Sequence, residues 1–150
     1  MRHYKNVEEA YDICVVEGNI LPKDSVEEGI IESSLFIVKE EFILAKEAVA
    51  KKLWTCAYKS HYDIFHQLAE IFVRCDKMKI KNHLCLFVYL CVKHPELELN
   101  WDFFEKVRTK YTLIKEESAQ VSQKDWQDVS LPFLLYIGLL KEKIEEKLSS

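Results

Sequence analysis

Between Leu84 and Val92 the chain reads LCLFVYLCV, nine apolar residues without a break. A bilayer-crossing helix needs about 20 such residues, so this run falls far short. A helix that is apolar nearly all round belongs at the centre of a bundle, not on its surface. The spacing predicts a helix over 82–93, stopped by His94-Pro95. Only three glycines and three prolines punctuate the 150 residues, too few for the tight turns of an all-β chain. The expected fold is therefore all-α, an up-and-down antiparallel bundle of four to five helices in one domain.

The other helices follow from apolar residues recurring at three- and four-residue steps. Ile30, Ile31, Leu35, Val38, Phe42, Ala45 and Val49 mark a helix over 26–52, with Ser25-x-x-Glu28 as its capping box. A second helix covers 56–75 and ends at Asp76-Lys77, and Leu53-Trp54-Thr55 is read as the tight link before it. Asn100 caps a fourth helix over 101–117. Ser122-x-x-Asp125 opens the last one, which Pro132 should bend or split near Ser130. Residues 1–23 read as a leader with one short helix over Val7–Val16, stopped at Gly18-Asn19. Residues 24–150 form the bundle domain.

The start, MRHYKNVEEAYD, lacks an apolar signal core, so a cytoplasmic protein is expected. Cys14, Cys56, Cys75, Cys85 and Cys91 contain no Cys-x-x-Cys and are expected as buried thiols. His83, Cys85, Cys91 and His94 lack the paired spacing of a zinc site, and a helix would turn them to different sides. No metal site and no cofactor is assigned.

The net charge of −4 argues against a protein coated for nucleic acid. The charge is uneven, however. Lys46 to Lys115 holds 13 Lys/Arg and 8 Asp/Glu, a balance of +5; the rest holds 8 and 17, a balance of −9. A basic middle between acidic ends permits a local anion site.

One stretch, Leu53 to His83, carries a further signal. Ala57, Tyr62, Phe65 and His66 fit the pattern A-x-x-x-x-Y-x-x-F-H. A basic connector, Lys77, Lys79 and Lys81, leads to Lys81-Asn82-His83, and Arg108-Thr109 lies in a later helix. This order of elements over residues 28–148 resembles the HEPN family, the higher eukaryote and prokaryote nucleotide-binding domains. The resemblance implies a homodimeric helical bundle that binds a nucleotide or RNA. It also implies a small nucleotidyltransferase-type partner protein, as in toxin–antitoxin pairs. Active members carry a metal-independent RNase site, an Arg followed by a His. Here residues 113–115, where that His would fall, are Leu113, Ile114 and Lys115, and no histidine follows His94. The expectation therefore leans to binding over catalysis, with an altered RNase site or a pure protein-interaction module as alternatives.

The candidate binding residues are Lys77, Lys79, Lys81, His83 and Arg108; the candidate catalytic residues are Arg108, His83 and Tyr111. Arg108 can hold a phosphate bidentately or pair with Glu105 or Glu116. His83 can bind a phosphate at a helix N-terminus or be a structural histidine. Tyr111, with an ordinary pKa near 10, makes a poor base at neutral pH. His66, Asp63, Lys59 and Glu70 read as a solvated helix face, or as an Asp63-oriented proton-transfer histidine. The lysine run reads as a phosphate attractant or a solvated loop. Tyr58, Tyr62, Phe65 and Phe72 are expected in the core.

Overall fold

A computed structural model describes residues 4–149. The first three residues of the expected leader, and Ser150, lie outside that range. Among the described residues the chain forms six α-helices and one two-stranded sheet, so the all-α expectation holds. The helices are α1 (Val7–Val16), α2 (Glu28–Ala50), α3 (Trp54–Cys75), α4 (His83–Lys93), α5 (Trp101–Glu117) and α6 (Gln123–Ser149). Strands β1 (Ile20–Pro22) and β2 (Met78–Ile80) pair antiparallel, Ile20 opposite Ile80 and Pro22 opposite Met78.

Helix α3 is the hub. Eleven of its 22 residues are buried, and α2, α4, α5 and α6 all pack against it. Phe65, Phe87 and Phe104, all fully buried, stack at its centre with ring centroids 4.9–5.5 Å apart. Each such ring contributes roughly 1.5–3 kcal/mol of burial. The expected core aromatics Tyr58, Tyr62, Phe65 and Phe72 are all buried.

Strict up-and-down alternation is corrected at one step. Helix α4 begins beside Tyr62 and His66 and ends with His94 against Phe72. It therefore runs in the same sense as α3, because β2 first carries the chain back along α3. Helix α5 runs opposite to α3, Phe104 meeting Phe65 and Tyr111 meeting Tyr62. Helix α6 runs with α3, from Phe133 on Tyr58 to Lys147 on Asp76.

Several local readings change. Helix α2 starts at Glu28 without a side-chain cap, so Ser25-x-x-Glu28 is not a capping box. Pro132 does not split α6, since Val129 and Phe133 are buried on either side of it. The basic connector is not an open loop: Lys79 lies within β2, opposite Leu21. Cys14 and Cys85 are not free thiols but form a disulfide joining α1 to α4, and Cys56 is exposed. The leader is thus fastened to the bundle; α1 packs on α4, and Lys93 lies over the Tyr11 ring. The caps at Asn100 and Ser122–Asp125 form as expected, the latter with reciprocal 3.1 Å bonds.

Candidate functional site

A cleft of about 380 Å³ opens where α3, α4 and α5 meet. Three-residue and four-residue steps along α3 set Asp63, His66 and Gln67 on one wall. Asn82 caps α4 by accepting from the Cys85 amide at 2.8 Å, which places His83 at the first helical position, on the cleft edge. Helix α5 brings Tyr111, Thr112, Lys115 and Glu116. The ammonium of Lys115 stands 5.5 Å over the Tyr111 ring.

Aromatic rings back the cleft. Tyr62, fully buried, stacks on Tyr111 at 4.1 Å, and its hydroxyl shares a 3.1 Å hydrogen bond with His83 Nδ1. The imidazoles of His66 and His83 lie 3.7 Å apart between centroids. Tyr111 donates its hydroxyl to Asp63 at 2.6 Å.

These contacts set the charges. Burial, reinforced by His83, lowers the His66 pKa to about 3. Burial also lowers that of His83; Asp63 opposes this, while Arg108 and Lys115 add to it. Both rings are uncharged at neutral pH, so the 3.5 Å approach of His66 to Glu70 is no ion pair there. Burial raises the Tyr111 pKa further above its ordinary value, as does its bond to Asp63. Tyr111 is therefore an orienting donor, not a base. The solvated-face reading of His66 and Asp63 is corrected, because His66 retains only 14% side-chain exposure.

The candidate residues fall into two groups. His83 and Tyr111 line the cleft, and the Arg108 charge reaches both His83 and Tyr62. Arg108 pairs with Glu105 at 3.1 Å, one of the two partners considered. Lys79 and Lys81 instead line a neighbouring hollow of about 210 Å³ with Glu70 and Arg74. Lys77 is exposed at the turn before β2, with φ of 61°. His83, Cys85, Cys91 and His94 do not converge: Cys85 is in the disulfide, Cys91 points to the Leu99 carbonyl, and His94 meets Asp76 and Glu96.

Lys115, Gln67, Thr112 and Glu116 were not among the expected site residues. The signal for Lys115 was present: Arg108, Tyr111 and Lys115 follow at steps of three and four, the spacing of one helical face. Buried His61 was also not singled out. It donates Nδ1–H to the Ala57 carbonyl at 2.7 Å and packs 4.6 Å from Trp126, a structural role. No protein-family model matches this chain, and no curated protein or solved structure shows significant similarity to it.

Proposed function

We propose that this chain is a HEPN-like bundle that binds a nucleotide or RNA in the His83 cleft. The observation that carries the reading is the convergence of His83, His66, Tyr111 and Lys115 on one polar cleft. An uncharged imidazole at a helix N-terminus can bond a phosphate or a base edge. Lys115 supplies a cation at the cleft. Lys79 in β2 and Lys81 just beyond it line the neighbouring hollow and offer further cations to a longer strand.

Fluorescence anisotropy with a labelled single-stranded RNA tests this. The His83→Ala, Lys115→Ala pair should weaken binding by tenfold or more. Equal affinity in the variant would remove the cleft from consideration. Calorimetric titration with ATP, showing no heat at sub-millimolar concentration, would end the nucleotide part.

A second reading, metal-independent RNA cleavage, is favoured by the uncharged state of His83 beside the Lys115 cation. As a base, His83 donates Nδ1–H to the Tyr62 oxygen and takes the 2′-hydroxyl proton at Nε2. The 2′ oxygen then attacks phosphorus, the bond to the 5′ oxygen breaks, and Lys115 protonates the leaving oxygen. Cleavage of a structured RNA that persists in His83→Ala would rule this out.

The homodimer and the nucleotidyltransferase-type partner rest on the family resemblance alone. Light scattering of the pure chain and co-purification with the product of a neighbouring reading frame test them. A cytoplasmic location is part of the same reading. The Cys14–Cys85 bond weighs against it, since thiols there are kept reduced.

A further inference from the structure

A third hollow, chemically unlike the His83 cleft, runs between α2 and α6 over the other side of α3. It encloses about 460 Å³, within the range of ligand sites. Val38, Phe42, Leu68 and Ile144 make its floor apolar. Its charged rim is Lys39 and Lys46 on one wall and Lys141 on the other, against a single Glu145.

Two of these lysines are held unusually. Lys46 approaches the Phe42 ring to 4.8 Å and Lys141 approaches the same ring to 5.4 Å. One ring thus holds an ammonium group from each wall near it. Among the described residues no carboxylate forms an ion pair with either ammonium group. An anionic head beside Phe42 would find two ammonium groups at that ring, with apolar floor beyond it for a chain.

We propose that this groove binds a free fatty-acyl carboxylate, its head at the Lys46 and Lys141 ammonium groups and its chain along Val38, Leu68 and Ile144. The charge of the rim selects an anion, and the floor selects an alkyl chain over a polar ligand. This site is separate from the His83 cleft and stands or falls independently of any RNA reading.

The test is calorimetric titration of the full chain with monomeric dodecanoate. One saturable site per chain is expected. Decanoate should bind about tenfold more weakly, the effect of two fewer buried methylenes. Dodecyltrimethylammonium, with the same chain and opposite charge, should not bind. The Lys46→Glu, Lys141→Glu variant should lose dodecanoate binding tenfold or more; both side chains are exposed, and circular dichroism checks that the fold is kept. Three results would each overturn the proposal: no saturable binding, equal binding of the cationic surfactant, or indifference to the charge reversal. The last two would assign the groove to unselective apolar contact, such as a partner protein's helix.

Discussion

The His83 cleft and the Phe42 groove flank the same helix and are opposite in character. On one side of α3, Asp63, His66 and Gln67 meet a histidine, a tyrosine and a lysine from α4 and α5. On the other side, Leu68 meets valine, phenylalanine and isoleucine from α2 and α6. The difference teaches that α3 is not amphipathic in the simple sense of core face and wet face. Its neighbours bury it nearly all round, and each pair of neighbours decides the chemistry of the gap it leaves. In the cleft, burial acts on titratable groups and keeps histidines uncharged. In the groove, the titratable groups stay at the rim and burial acts only on hydrocarbon.

The comparison breaks most sharply if one hollow loses its backing while the other keeps its own. Phe87 is fully buried and stands behind the cleft, against Tyr62, Phe65 and Phe104. Phe87→Ala should cost about 4 kcal/mol in denaturant unfolding. It should weaken RNA binding while leaving dodecanoate binding within twofold. Equal loss of both ligands would mean that the two hollows are mechanically one.

The disulfide gives a second asymmetry. Cys85 sits two residues past His83, and its bond to Cys14 closes a loop with a sequence separation of 71. Removing it with Cys14→Ser should cost about 3 kcal/mol. Amide exchange should quicken in α1 and α4 and stay unchanged in the middle of α2. A uniform rise across all helices would show that the bond stabilises only through the unfolded chain.

Protonation separates the two sides next. An unfolded histidine titrates near pH 6.5, whereas His66 does so at about 3 in the fold. Between those values the unfolded chain holds a proton that the native chain lacks. Stability therefore falls as pH drops from about 6.5 toward 3, by up to about 1.4 kcal/mol per unit from this group. His83 is shifted downward too and acts with the same sign. Glu70 is shifted upward by burial and acts with the opposite sign, since the native chain gains its proton first. Urea unfolding of His66→Gln beside the parent isolates the histidine term. The variant should flatten the acid limb, and an unchanged slope would mean that His66 is not held neutral.

Helices α3 and α5 are legible from their three- and four-residue apolar steps, and α4 from its unbroken apolar run at the centre of the bundle. Asn100 and Ser122 announce their helices because their side chains bond the first free amides. The turns were harder to read for a physical reason. Lys52, Lys77, Glu98 and Ser118 adopt positive φ where a glycine is the usual signal. The cleft was half legible: His83 and Tyr111 were named and Asp63 and His66 weighed, but the partnership of His66 with His83 was not. That contact depends on β2 carrying the chain back along α3, and two three-residue strands have too short a period to announce themselves. The disulfide joins residues 71 positions apart, and no local spacing encodes such a pairing.

The smallest effect tests what covers the groove side. Ile43, which lines the groove from α2, is 63% exposed. A large apolar side chain left in water contributes little to the fold of the monomer. Ile43→Asn should therefore shift stability by no more than about 0.5 kcal/mol. The same substitution would cost more if a second chain buried Ile43, because the monomer would then be linked to assembly by mass action. The unfolding midpoint would in that case rise with protein concentration in the parent and lose that dependence in Ile43→Asn. Measuring both chains over a hundredfold range of concentration decides between an open groove and a covered one. Only an open groove leaves the Lys46–Lys141 pair exposed to a free anion.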